Sequence, residues 1–168
     1  MKDDFLIEMG YAGLTGRLKR LSDAFVYSTK EFYRAHGLDI EPNWHMIFLL
    51  LQKHKQLTVM EIAEALHLSH PAIVKLADKM KKQGYIQAVK DAADNRKYQL
   101  TLTKKALKEM PKLEMYWAAG IESVKEIMNH NTEILKLLKE LEDNISEADF
   151  KARTDKNLRL LNNNKDML

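Results

Sequence analysis

The stretch Ser69-His70-Pro71-Ala72-Ile73-Val74-Lys75-Leu76-Ala77-Asp78-Lys79-Met80 decides the reading of this chain. Ser69 suits a helix N-cap, Pro71 is tolerated in a first turn, and Gly84 marks the end of the helix. Ile73, Leu76, Ala77 and Met80 recur on one helical face and are the expected core. His70, Pro71, Val74, Lys75, Asp78 and Lys79 are left towards the open side.

Just upstream, Thr58-Val59-Met60-Glu61 is a capping-box pattern, in which the threonine oxygen and the glutamate carboxylate each satisfy an orphan backbone donor. It predicts a short helix to Leu66. Only His67, Leu68 and Ser69 then separate two helices, which is the helix-turn-helix arrangement, with Ala63 and Ile73 as its close-packed positions. Downstream, Tyr85 to Lys90 reads as a strand. Tyr98, Leu100 and Leu102 alternate with Gln99 and Thr101 as a second strand. The charged segment Asp91 to Lys97 between them makes a hairpin, and a hairpin directly after such a helix is a wing.

Further out, Leu14, Leu18, Leu21, Phe25 and Phe32 predict an amphipathic helix over Tyr11 to Ala35, stopped near Gly37. A second helix starts after Glu41-Pro42, with proline in its first turn, and the apolar block Trp44 to Leu51 makes it central and buried. Thr103 caps a long helix to about Asn129, with a kink expected at Pro111. Ile134, Leu138, Leu141 and Ile145 form a short coiled-coil-like seam that must pack against another helix. The fold class is mainly α with a small β-hairpin wing.

A chain of 168 residues fits one ordinary domain. Met1 to Gly10 does not read as a signal peptide and no apolar run is long enough to span a bilayer, so a cytoplasmic location is expected. The absence of cysteine excludes disulfides, thiolate zinc sites and thiol redox sensing. The net charge of +3 is modest, but its distribution is uneven: Trp44 to Lys105 carries 11 Lys and Arg against 5 Asp and Glu, while both flanks are slightly acidic. A basic middle on a neutral scaffold suits a polyanion partner, although a solvated lysine face would look similar.

A helix fits the major groove of DNA and reads it with residues near its N-terminus. Lys75 can donate to guanine and Val74 can touch a thymine methyl. Ser69, His70, Pro71 and Lys79 are placed for phosphates or base edges. In the wing, Arg96 and Lys97 can enter the minor groove or hold phosphates, with Asp94 orienting Arg96. An ordinary amphipathic helix with surface lysines is the alternative, and the hairpin after it argues against that. No phosphate loop, nucleophile elbow, metalloprotease pair or dinucleotide fingerprint points to an enzyme. His67 and His70 straddle the turn without further ligands, so no metal site or cofactor is expected.

These motifs resemble the MarR (multiple antibiotic resistance regulator) family of bacterial winged-helix regulators. The matching pieces are Gly37-Leu38 to Trp44, Leu57-Thr58 to Ile62-Ala63, Leu66-His67-Leu68-Ser69, Leu76-Ala77-Asp78-Lys79-Met80, Gly84-Tyr85-Ile86, and Asp94-Asn95-Arg96 leading into Leu100-Thr101-Leu102-Thr103. The resemblance implies one domain over 1–168, with a winged helix-turn-helix at 44–103 and helical dimerisation regions at 1–43 and 104–168. It implies a homodimer that binds a palindromic DNA operator, as a repressor in the usual case. It places Asp94 and Arg96 in the wing motif and Lys75 where an arginine is common. Val74 departs from a small hydroxyl residue, Ala93 from a basic one and Lys105 from a glycine. The family often responds to small aromatic or phenolic effectors, for which Tyr11, Arg17, Trp44 and His45 are the candidates here. A winged helix that binds protein instead of DNA is the competing reading.

Overall fold

The computed structural model describes residues 4–90 and 97–165, which divide into two compact units, Met1–Glu114 and Met115–Leu168. The first unit begins with α1 (Phe5–Glu8), capped by the Asp4 carboxylate, which accepts from the Leu6 N–H. A 3-10 turn (Gly10–Gly13) leads into α2 (Leu14–Ala35). Gly13 permits this return: a Cβ there would lie 2.0 Å from the Leu6 carbonyl oxygen, so no larger residue fits. Then follow α3 (Trp44–His54), β1 (Gln56–Leu57), α4 (Val59–Leu66), α5 (His70–Lys82), β2 (Ile86–Lys90), β3 (Tyr98–Leu102) and α6 (Lys104–Ile127). The sheet is antiparallel in the order β1-β3-β2, with Leu57 and Ala88 both opposite Leu100.

The core lies where α3 supplies Trp44, Ile47, Phe48 and Leu51, α4 supplies Ile62, α5 supplies Ile73 and Met80, and α6 supplies Leu113. Each such side chain contributes about 1.5–3 kcal/mol on leaving water. Thr58 and Glu61 form the full capping box at the start of α4: the Thr58 hydroxyl accepts from the Glu61 N–H at 3.2 Å, and the Thr58 N–H donates to the Glu61 carboxylate at 2.7 Å.

Several local expectations change. Pro42 lies in the turn before α3 rather than inside its first turn, and Leu49 leaves α3 exposed on one side. The helix predicted from Tyr11 begins at Leu14, because the 3-10 turn comes first. Ser69 precedes α5 but makes no side-chain capping bond; its carbonyl accepts from Ala72 and Ile73. Tyr98, which alternates with Gln99 as Leu100 does, is nonetheless exposed at the start of β3. The helix read as far as Asn129 stops at Ile127, where Asn129 and His130 turn left-handed and close the last carbonyls. It continues through Pro111 as one element. The chain also has three elements that periodicity did not indicate: α1, the two-residue β1, and a last helix described below.

One buried residue joins the parts of the first unit. Gly84, with φ +75°, ends α5 in a Schellman motif, in which Tyr85 N–H donates to the Met80 carbonyl and Gly84 N–H to that of Lys81. Tyr85 is thereby turned inward, edge-on to Phe48 at 5.4 Å and to Trp44 at 5.9 Å between ring centroids. The Lys105 ammonium sits 3.9 Å from the centre of its ring. Its hydroxyl contacts the Asp39 carboxylate and lies 2.8 Å from that of Glu109. Burial, then the two carboxylates, push the Tyr85 phenol far above its ordinary value. Burial works against the Asp39 carboxylate as well, yet the bonds from Tyr85 and Lys105 hold it below the ordinary value of 3.8.

The second unit continues α6 from Met115 to Ile127 and adds α7 (Glu133–Glu147) and α8 (Phe150–Lys165). None of its described residues is buried. The seam of Ile134, Leu138, Leu141 and Ile145 falls within α7, and Ile134 and Ile145 are about half exposed.

Two stability measurements check this account. Replacing Thr58 by Ala removes half of the capping box and should cost about 1 kcal/mol in denaturant unfolding. Asp39 is more acidic folded than unfolded, so its contribution is present above its unfolded value and lost as pH falls through the lower folded one. Asp39→Asn should therefore flatten the acid limb of stability against pH. The effect should stay under about 1 kcal/mol, since the side chain is half exposed and water screens its pairing.

Candidate nucleic-acid interface

Helix α5 is amphipathic in the sense that matters for an interface. Ile73, Ala77 and Met80 are buried and Leu76 is half-buried, all on the inner face. Helices α4 and α5 pack together, and Ala63 and Ile73 are both buried. His67 closes α4 in the left-handed conformation at φ +50°, and its N–H and that of Leu68 satisfy the carbonyls of Glu64 and Ala63. This tight exit lets α5 start three residues later.

The outer face carries Ser69, His70, Pro71, Lys75, Asp78 and Lys79, all exposed, with Val74 half-buried beside them. Lys75 makes no ion pair among the described residues. Asp78 pairs with Lys81 at 2.8 Å, so its negative charge is offset locally. Lys79 reaches Glu41 only at 4.0 Å, and Glu41 is equally distant from Lys30. The face thus keeps cations that solvent holds loosely and that a polyanion could recruit at little cost.

Beside α5, β2 and β3 pair in register with Lys90 opposite Tyr98, and Lys97 is exposed just before β3. Asp94 and Arg96 lie outside the described residues. Thr103 fixes the other end of the hairpin: its hydroxyl donates to the Gly84 carbonyl at 2.6 Å, and its N–H donates to that of Tyr85. Thr103 Oγ also accepts from Ala106 N–H at 3.2 Å, capping α6 as its sequence position suggested. One threonine therefore ties the end of α5, the end of β3 and the start of α6 together.

The four effector candidates are not gathered in one place. Tyr11 is fully exposed in the 3-10 turn and Arg17 is exposed on α2. His45 is half-buried, its Nδ1 2.9 Å from the Pro42 carbonyl. Trp44 is 2% exposed, and its Nε1 has no partner among the described residues. Of the four, only Trp44 lines the cleft of about 640 Å³ formed between the end of α2, the loop after it and the last turn of α5. That cleft also meets Lys30, Arg34, Lys79 and Lys82. All four cations sit towards the C-terminal ends of α2 and α5, where they complement the helix dipoles. Among the described residues no group of three His, Asp or Glu could hold a metal ion.

Sequence reasoning did not find the contact of Tyr85 with Asp39 and Glu109. The partners are 46 and 24 residues away along the chain, and no spacing rule connects them. In the sequence Tyr85 stands as the first residue of a strand and within the Gly84-Tyr85-Ile86 motif, neither of which names its partners.

Residues 38–97 match the family model described as the MarR family. In structure the chain is similar to a MarR protein from Peptoclostridium difficile, with a TM-score of 0.65 and 21% identity over 82% of this chain and 90% of that one. It is similar to reduced AbfR bound to DNA, with a TM-score of 0.63 and 18% identity over 83% and 94% of the two chains. Streptococcus pneumoniae FabT in complex with DNA aligns with a TM-score of 0.59 and 20% identity over 79% and 98%. No curated protein matches the sequence. At these identities the structural likeness speaks for the fold. The family assignment rests on the matched segment, which contains both helices of the helix-turn-helix, β1 and β2. Residues 38–97 of this chain thus match the MarR family model, and the chain shares its fold with winged helix-turn-helix proteins of that family.

Proposed function

We propose that this protein is a sequence-specific, DNA-binding transcriptional regulator that acts in the cytoplasm as a homodimeric repressor on a palindromic operator. The observation that carries the reading is the outer face of α5, where Ser69, His70, Pro71, Lys75 and Lys79 are exposed opposite a face anchored in the core. Lys75 and Val74 read bases, while Ser69, His70, Pro71 and Lys79 hold the backbone or base edges. The Ser69 hydroxyl makes no capping bond, which leaves it free for a phosphate. Asp94, Arg96 and Lys97 serve the wing, with Arg96 in the minor groove. The DNA-bound AbfR and FabT structures of the same fold support this reading.

Within the single domain of 1–168, the segment 44–103 is the DNA-binding region and 1–43 and 104–168 form the dimer. Two observations support the dimer. Leu14, Leu18, Leu21 and Phe25 leave the apolar stripe of α2 exposed, and Ile134, Leu138 and Ile145 of the α7 seam are exposed as well. Exposed apolar stripes of that length mark association surfaces, and a twofold pair would read two half-sites. Release by a small aromatic or anionic effector fits the cleft beside Trp44, since Lys79 and Lys82 on its wall belong to the reading helix. A coupling of about 1–3 kcal/mol is enough for such release.

A mobility-shift titration across a salt series tests the core of this proposal. Affinity should fall steeply with salt, and Lys79→Ala should lower the log-log slope by about one charge. No binding at low salt, or binding insensitive to salt, would sink the DNA reading in favour of a protein-binding winged helix. Arg96→Ala should weaken DNA binding by about 1–3 kcal/mol while the melting temperature stays unchanged. Unchanged affinity would remove the wing from the mechanism.

A further inference from the structure

Helices α2 and α5 end in the same way. Gly37 and Gly84 both turn left-handed, and the N–H groups of Leu38 and Tyr85 reach back to the carbonyls of Tyr33 and Met80. The chain leaves each helix in a fixed direction, and side chains just beyond the two ends, Asp39 and Tyr85, meet through the Tyr85 hydroxyl. The same hydroxyl faces Glu109 of α6 at 2.8 Å.

We propose that Tyr85 is the positioning residue of the reading helix: its hydroxyl, set between Asp39 and Glu109, locks the end of α5 to the loop after α2 and to α6. The lock is proton-limited. A phenol has one proton, so with both carboxylates ionised it donates to only one of them. Both bonds form when one carboxyl is neutral and donates to the phenol oxygen.

The groups facing this hydroxyl can be named element by element. The loop after α2 presents Asp39, and α6 presents Glu109 together with Lys105. Lys105 donates to Asp39 at 3.2 Å and to the Gln83 carbonyl at 3.0 Å. Helix α3 presents the uncharged rings of Trp44 and Phe48, and α5 its terminal backbone. Lys105 therefore serves Asp39, which makes Glu109 the position whose charge decides whether the second bond exists. A neutral donor at 109 completes the lock, and an anion there leaves it half made.

The consequence for DNA rests on the proposed DNA-binding function, but the lock itself can be read without DNA. Tyr85→Phe keeps the ring among Trp44, Phe48 and Lys105 and removes the hydroxyl alone. Hydrogen exchange over residues 70–90 of the free, full-length protein should show protection lowered about tenfold, the loss of one charge-assisted bond. Glu109→Gln, whose amide donates to the phenol oxygen, should exceed wild-type protection at about pH 8, after correction for intrinsic exchange. A residue that merely fills space would give equal protection in all three proteins.

Equal protection in all three proteins, or Glu109→Gln falling to the level of Tyr85→Phe, overturns the proposal. Should Tyr85→Phe fail to fold, Glu109→Gln against wild type decides it: protection above wild type supports the lock, and protection at or below wild type overturns it. DNA affinity at constant ionic strength, measured on the same proteins, should follow the same order. Exchange that follows it while no protein binds DNA would leave the lock standing and refute the DNA reading instead.

Discussion

The burial of Tyr85 is the contact on which the first unit depends. Apolar burial supplies the driving force, because Trp44, Ile47, Phe48, Leu51, Ile62, Ile73, Met80 and Leu113 all leave water within residues 1–114. That force has no direction, and it would be satisfied by many arrangements of four helices and a small sheet. Direction comes from the polar ends of the elements. The Schellman motif after α5, the Thr103 hydroxyl on Gly84 and the Tyr85 hydroxyl on two carboxylates each accept one geometry and reject others. An interface that must present a few side chains to a groove needs that restriction more than it needs further burial.

The second unit has the opposite character. Its helices carry apolar residues at helical spacing, yet none of its described residues is buried. A helix with an apolar stripe is stable when the stripe is covered. The exposed leucines of α2 raise the same requirement in the first unit. A second copy of the chain meets both needs in the proposed function, and it makes the spacing of two reading helices a property of the dimer. In that proposal the DNA-reading segment and the helices around it act together: one supplies contacts, the other the distance between them.

Much of the fold was legible because its signals are local. The capping box at Thr58, the left-handed Gly84, the alternation through Leu100 and Leu102 and the 3.6-residue stripe of Ile73, Ala77 and Met80 each report on neighbours within a few residues. Signals that depend on distance in the chain were weaker. The two-residue β1 is too short for any period, and its status as a strand comes from pairing with Thr101 and Leu100. Tyr98 sits on the apolar side of its strand by pattern but beyond the reach of the helices that cover Leu100. Helix α8 has little amphipathic pattern to announce it.

The candidate site divides along the same line. The sequence alone determined which helix faces outward and with which residues, since a buried stripe at one angular position leaves the others to solvent. It also determined the chemistry that is excluded, because a chain without cysteine has no thiol to use. Only the tertiary structure decided that Trp44 is core while Tyr11 and Arg17 stand apart from it, and that Asp39, Tyr85 and Glu109 converge. Those outcomes depend on how separate helices are oriented, and orientation is set by packing among residues far apart in the chain, which periodicity cannot encode.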